Sequence, residues 1–408
     1  MPLVSNEQAQ SLVKAYAHLR ILHVISTVDP NSGGPIEGVI RQDEATKAYG
    51  VREVVSCDAP EAAYLTEFPL TVHALGLSTE AVKLPLLSHY RFTPHLVPWL
   101  RANASSYDAI IVNGLWNFAT LAAAITLPGG KTPYYVFTHG MMDPWFRRTY
   151  PLKHLAKQAF WSFCEGRLLA GAAAVLFTTE EERLLARGQF LGWRYKEKVV
   201  GYGTASPPPA TALQEAVFRK AVPALGVRPY LLYLSRIHKK KGCDLLIEAF
   251  ARVADDEPGL DLVLAGPDQT GWTRDLKASA RRLGIENRVH IPGGLFGDAK
   301  WGAMYGAEAF ILPSHQETFG IVVAEALACG TPVLISDKVN IWREIEAEGA
   351  GFVESDTLAG TERLLRRWIG LDSARKESLG LAASHTFAKY FDVRVSAARL
   401  LQFIGPAT

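Results

Sequence analysis

Residues 315–336 read HQETFGIVVAEALACGTPVLIS and are entered through the apolar run AEAFILPS. The composition predicts a strand from Ala309 to Leu312, a turn at Pro313 and Ser314, and a short helix from about Gly320 to Ala328 that Gly330 and Pro332 terminate. PVLIS then predicts a second strand. Glu317 precedes the helix and Glu325 lies inside it, flanked by IVVA and ALAC, so a charge falls where the apolar pattern asks for burial. A buried carboxylate needs a partner. The first turn also leaves the backbone N–H groups of Thr318, Phe319, Gly320 and Ile321 without helical acceptors, and Gly320 has no side chain to hold an anion off. This order of elements describes a phosphate seat between two acids.

The surrounding chain has room for a large fold. At 408 residues it exceeds one ordinary core, and about 150 residues per domain suggests two or three, of which two is the working number. A hydrophobic content of 48% with 21% charged residues excludes a largely disordered chain, and a net charge of +2 gives no reason to expect a nucleic-acid partner. Cys57, Cys164, Cys243 and Cys329 are too widely spaced for a metal site and read as reduced, buried thiols. The first 18 residues lack the apolar core of a secretory signal, and the run from Ala109 to Leu127 is interrupted by Asn113, Gly114 and Asn117, so it reads as strand and helix rather than as a membrane span. A cytoplasmic protein is expected.

From Ile21 the sequence alternates strands and helices. ILHVIST is followed by a turn with Gly33 and Gly34 and by an amphipathic helix to about Tyr49. Gly33 and Gly34 can bring backbone amides against a phosphate or sugar, although no full GxGxxG is present. REVVSC, TVHALG, YDAIIVNG and PYYVFTHG continue the series, which predicts a parallel sheet. THG puts His139 just past a strand, where ligands of open α/β sheets collect. Residues 147–169 carry a helical repeat through Leu152, Leu155, Ala159, Phe160 and Phe163. Basic Arg147, Arg148, Lys153, His154 and Lys157 stand among aromatic residues there, as expected at an anionic membrane surface. Residues 178–182 predict a capped helix start. The Gly- and Pro-rich stretch 201–214 reads as a linker, after which strands begin again at PYLLYLSR.

LSRIHKKKG places Arg236, Lys239, Lys240 and Lys241 within six residues at a strand end. A diphosphate would offset such crowding: a guanidinium grips two oxygens and an ammonium adds a point charge.

GGP, THG, SR with KKKG, and the two-acid segment stand in the order and places found in retaining family-4 glycosyltransferases, which this chain resembles from Ile21 to about Phe403. The resemblance implies an α/β GT-B fold, two Rossmann-like doubly wound domains facing a central cleft. By it, residues 1–204 with a returning segment 386–408 form the acceptor-side domain, and residues 205–385 form the nucleotide-sugar-binding domain. It further implies that Arg236 and Lys241 hold the diphosphate, Glu325 the ribose hydroxyls and Glu317 hydroxyls of the donor sugar. The amides of Phe319, Gly320, Ile321 and Val322 assist, Gly33 and Gly34 approach from the other domain, and His139 contacts the sugar near the reacting carbon. The base is assigned to HIPGGL, 290–295, ending at Leu295.

The expected activity is transfer of a hexose, with retention, from a nucleotide-diphosphate sugar to a glycan or lipid-linked saccharide in polysaccharide biosynthesis. A UDP-sugar is favoured over a GDP-sugar as donor, and neither a metal nor a separate cofactor is expected, since Arg236 and Lys241 meet the diphosphate charge. Residues 145–163 would place the protein peripherally on the inner face of the membrane. Two other readings share the phosphate logic: a GT-B nucleotide-sugar epimerase or phosphorylase, and a non-catalytic sugar-nucleotide binder.

Overall fold

The computed structural model describes residues 19–32, 34–46, 50–78 and 90–405. The chain divides into two compact units, one running to Ala205 and resumed from Val393, the other spanning Ser206–Asp392. Gly33, residues 1–18, and the end of the first helix expected near Tyr49 lie outside the described residues.

In the first unit the strands are β1 (Leu19–Ile25), β2 (Gly50–Ser56), β3 (Thr71–Ala74), β4 (Ala109–Asn113), β5 (Tyr134–Phe137), β6 (Ala174–Phe177) and β7 (Glu197–Val199). They form one sheet in the order β3-β2-β1-β4-β5-β6-β7, every pair parallel. Its helices are α1 (Gly34–Thr46), α2 (Leu96–Asn103), α3 (Phe118–Thr126), α4 (Pro144–Thr149), α5 (Pro151–Phe160), α6 (Gly166–Gly171) and α7 (Glu180–Ala186), with a π turn over Trp161–Glu165. AIIVN, YYVF and AVLF are buried at every position, as strands covered on both faces require.

The second unit contains β8 (Tyr230–Leu234), β9 (Asp261–Ala265), β10 (Val289–Gly293), β11 (Ala309–Leu312), β12 (Val333–Ser336) and β13 (Gly351–Glu354) in the parallel order β10-β9-β8-β11-β12-β13. Its helices are α8 (Ala212–Ala221), α9 (Cys243–Val253), α10 (Thr273–Arg282), α11 (Gly297–Tyr305), α12 (Ile321–Ala328), α13 (Trp342–Glu348), α14 (Leu358–Ile369) and α15 (Ser373–Thr386). Both sheets therefore run outward from their first strand and reverse next to it, the doubly wound order whose ligands bind at that reversal.

The last helix, α16 (Val393–Ile404), belongs to the first unit. Ala398, Leu400, Leu401 and Ile404 share a buried cluster with Leu19, Ile21, Ile111, Phe137 and Leu176. The return begins at Val393, where its N–H donates to the Thr204 carbonyl at 3.1 Å, rather than at residue 386. Residues 386–392 stay with the second unit because Phe391 packs edge-on against Phe319, 5.6 Å between centroids. The linker is also shorter than its composition suggests. Thr211 and Gln214 cap α8 reciprocally, so the end of the Pro-rich stretch is already a helix start.

Candidate functional site

Strands β8 and β11 are neighbours across the reversal in the second sheet, and the chain leaves each of them into a glycine-governed turn. After β8, His238 caps a turn over Lys239–Lys241, and Gly242 follows in the left-handed region at φ 68°. A β-carbon there would lie 2.2 Å from the Pro313 carbonyl oxygen, so only glycine lets this turn reach the end of β11. The Lys240 carbonyl accepts from His315 N at 2.8 Å and from Ser314 Oγ at 3.0 Å, which ties the two loops together. Lys241 is thereby buried, and its ammonium pairs with the Glu317 carboxylate. Glu317 is fixed through its backbone as well: its N–H donates to Lys338 O at 2.9 Å and its carbonyl accepts from Asn340 N at 3.0 Å. Arg236 is exposed at the end of β8, its carbonyl accepting from Tyr233 Oη at 3.0 Å.

Helix α12 begins one residue beyond the expected start because Gly320 is its left-handed N-cap, at φ 80°. Ile321 and Val322 occupy the first turn, where N–H groups have no acceptor within the helix. Phe319 is buried just ahead of them. Glu325 is on the same helix, only 5% exposed, and its Oε1 lies 2.9 Å from Lys300 Nζ on α11. The buried acid thus has the partner its environment demands. Lys300 was not anticipated; the segment GDAKW carries no motif, and the pairing depends on α11 packing beside α12.

The expected base wall contracts. His290 is not at a strand end but near the start of β10, and its Nε2 sits 2.8 Å from the buried Asp261 carboxylate. It serves the core, and Gly293–Leu295 remain at the C-terminal end of the strand, with Leu295 buried.

In the first unit, His139 stands in the loop after β5 at φ 48°, followed by Gly140 at φ 74°. A positive φ is uncommon for a residue with a side chain, so the His139 backbone must be held. Buried Glu182 does so: one carboxylate oxygen accepts from Gly140 N and Thr138 Oγ1, each at 2.7 Å, and the other from Thr178 N and Oγ1 at 2.7 and 2.6 Å. The capped helix start read in residues 178–182 is real, with Thr179 as the cap, and Glu182 has this second task. The imidazole of His139 stacks on Phe137, 4.7 Å between centroids, and burial pushes its pKa down to about 4. Its Nε2 is 3.1 Å from Asn113 Oδ1, and Asn113 Nδ2 donates to Ile111 O at 3.1 Å and faces His23 Nδ1 at 3.3 Å. Because Asn113 Oδ1 can only accept, Nε2 carries a proton, and burial is what favours the neutral ring. Asn113 and His23, at the reversal of the first sheet, are further residues that sequence reasoning passed over as strand interior. Gly34 opens α1, where Tyr202 Oη donates to its carbonyl at 3.0 Å and a β-carbon would meet nothing within 4 Å.

The basic segment is helical but broken at Tyr150 between α4 and α5. No residue of α5 is buried: Leu152 and Leu155 are 81% and 66% exposed, and Phe163 in the π turn is 85% exposed. Leu152, Leu155 and Phe163 thus face outward, whereas Phe160 of the same repeat packs against Trp116 and Tyr90. Among the described residues no helix is long and apolar enough to cross a membrane, and no three His, Cys, Asp or Glu residues gather as a metal site.

Two family models match, and together they span most of the chain. Residues 7–203 match the glycosyl transferase 4-like domain and residues 215–376 match glycosyl transferases group 1. A D-inositol 3-phosphate glycosyltransferase of Streptomyces avermitilis is 30% identical over 232 residues, 54% of this chain and 49% of that protein. The namesake from Actinosynnema mirum is 36% identical over 121 residues, 27% of this chain and 29% of that protein. The chain thus spans half or less of the curated relatives it matches. Among solved structures, Anabaena HepE in complex with UDP and glucose superposes with a TM-score of 0.71 at 19% identity, covering 96% of this chain and all of that one. The fold is the GT-B pair of Rossmann-like domains.

Proposed function

We propose that this chain, in which a glycosyl transferase 4-like domain precedes a glycosyl transferases group 1 domain, moves a hexose from a nucleotide-diphosphate sugar to a saccharide acceptor with retention of configuration. The observation that carries this reading is the pairing of Lys241 with Glu317 at the ends of adjacent strands, beside the first turn of the helix that also bears Glu325. Lys241, exposed Arg236 and the amides of Ile321 and Val322 offer positive charge to a diphosphate, and that charge stabilises the oxygen that leaves the sugar carbon. A diphosphate competes with Glu317 for Lys241, which releases the carboxylate to accept from sugar hydroxyls. Glu325 accepts from the ribose diol, whose two donors match a carboxylate.

His139 acts as a neutral hydrogen-bonding group near the reacting carbon, an assignment supported by its left-handed turn and its lowered pKa. The fixed cations let the reaction proceed without a metal or a further cofactor. The exposed Leu152, Leu155 and Phe163 beside Arg147, Arg148 and Lys153 support a place on the cytoplasmic face of a membrane and a lipid-linked saccharide as acceptor. UDP in the similar HepE structure supports a uridine donor.

The test is incubation with UDP- and GDP-hexoses with and without an oligosaccharide acceptor. Nucleoside diphosphate released only with acceptor, and a product of unchanged anomeric configuration, is expected. Epimerised donor without acceptor, or release of intact donor alone, contradicts the proposal.

A further inference from the structure

In the first unit one wholly buried carboxylate ties together the chain where it leaves β1 and β2. Asp58, just past β2, accepts from Thr27 Oγ1 at 2.6 Å and Val28 N at 2.7 Å beyond β1, and from Tyr64 Oη at 2.8 Å and Arg91 Nη1 at 2.9 Å. The Asp58 side chain is 0% exposed and that of Arg91 is 34% exposed. Thr93 Oγ1 donates to the Leu75 carbonyl just past β3 and accepts from His95 N at 3.3 Å. Arg91 is thereby fixed at the C-terminal edge of the sheet, where ligands of doubly wound folds bind. Among the described residues, those with a side chain and a positive φ are Arg91 at 56°, Trp116 at 67° and His139 at 48°. All three lie at this edge, and a buried carboxylate holds each: Asp58 grips the Arg91 guanidinium, Glu165 accepts from Trp116 N at 2.7 Å, and Glu182 secures the turn of His139. Strain that is held in this way collects at ligand sites.

We infer that the Nε–Nη2 edge of Arg91 binds the carboxylate of a hexuronate residue in the saccharide acceptor, with Asp58 as the residue that positions the guanidinium. This names the class of acceptor for the proposed transfer and rests on that reading. Asp58 does not need the cation: Thr27 and Tyr64 satisfy one of its oxygens and Val28 N the other. Arg91, for its part, has Asp58 as its one polar partner among the described residues, reached through Nη1, and neither Nε nor Nη2 is a buried unpaired atom. The edge that remains carries two parallel N–H donors, which match the two oxygens of a planar carboxylate. A monoanion suits a guanidinium that already shares its charge with Asp58. A phosphate dianion draws more than one cation, and Arg91 is the only cation bonded to Asp58 among the described residues. Since Asp58 holds the guanidinium beforehand, little further side-chain freedom is lost on binding.

The full chain, saturated with UDP, is titrated by calorimetry with methyl β-D-glucopyranosiduronate and with methyl β-D-glucopyranoside, which differ only in the carboxylate. Wild type is expected to bind the uronate at least about tenfold more tightly than the glucoside, the scale of a charge-assisted two-point contact. Arg91→Gln reduces that ratio to about twofold or less, whereas Arg91→Lys, which keeps the charge but not the fork, falls between. Arg101→Gln removes an exposed cation of α2 as a control and keeps the full ratio. Equal binding of the two glycosides by wild type, a uronate preference that survives in Arg91→Gln, or no binding of either glycoside overturns the inference. UDP affinity is the same in wild type and Arg91→Gln, which also shows that the variant is folded. Wild type that binds no nucleoside diphosphate overturns the donor reading on which the inference rests, whereas UDP binding without a uronate preference overturns this inference alone.

Discussion

Lys300 Nζ lies 2.9 Å from Glu325 Oε1, joining α11 to the one acid buried in the apolar helix α12. Removing the lysine strands a carboxylate that is almost wholly buried. Lys300→Met therefore costs about 2 kcal/mol of unfolding free energy, read from urea midpoints at constant m, and Lys300→Met/Glu325→Leu recovers most of that loss. With the proposed role of Glu325 at the ribose, Glu325→Ala is expected to lower UDP affinity roughly 10-fold, the equivalent of about 1.4 kcal/mol. Unchanged affinity in Glu325→Ala removes its assigned role.

His139 separates binding from turnover. In His139→Ala, UDP affinity stays within about twofold, while kcat falls by roughly 100-fold, the scale of a lost transition-state hydrogen bond. Asn113→Ala, which frees the ring without removing it, lies between wild type and His139→Ala. Steady-state kinetics with saturating donor decides the matter.

The glycines give contrasting stabilities. Gly242→Ala forces a β-carbon to 2.2 Å from Pro313 O in a left-handed residue, and unfolding free energy falls by about 2 kcal/mol or more. Gly34→Ala meets nothing within 4 Å, and stability changes by less than about 0.5 kcal/mol.

Glu165 and the buried histidines pull stability in opposite directions with pH. Burial lowers His139 to about 4 and His23 to about 3, so the unfolded chain takes up their protons first, and the stability they allow above about 6.5 is lost as pH falls through that range. Glu165 is raised to about 7, so the folded chain holds its proton longer, and stability is lost as pH rises from about 4.5 through that value. Between these limits the two slopes oppose. Glu165→Gln removes one of them, and its unfolding free energy climbs between about pH 4.5 and 6.5 more steeply than that of wild type, by up to about 1.4 kcal/mol per pH unit. Parallel curves contradict the assignment.

What the sequence made legible was local. Ala309–Leu312, the helix ending at Ala328 and the following strand were readable because apolar runs, a left-handed glycine and a terminating Gly-Thr-Pro act within a few residues. The partners of the charged residues were not. Lys300 reaches Glu325 across 25 positions, Glu182 reaches Gly140 across 42, and His23 meets Asn113 across 90, and no periodicity encodes such pairings. The repeat on α5 was legible for the same local reason, whereas its exposure was not: a repeat fixes which residues share a face, and what covers that face is set by neighbours distant in sequence.

Lys241 and Glu317 are the proposed diphosphate seat. Calorimetry of UDP, UMP, GDP and GMP against wild type, Lys241→Ala and Arg236→Ala tests it most directly. The expected result is that one nucleoside diphosphate binds at least tenfold more tightly than its monophosphate, and that this difference shrinks by about tenfold or more in Lys241→Ala, and by less and with stronger salt dependence in exposed Arg236→Ala. Equal affinity for mono- and diphosphates in wild type, or a diphosphate preference that survives in Lys241→Ala, contradicts it.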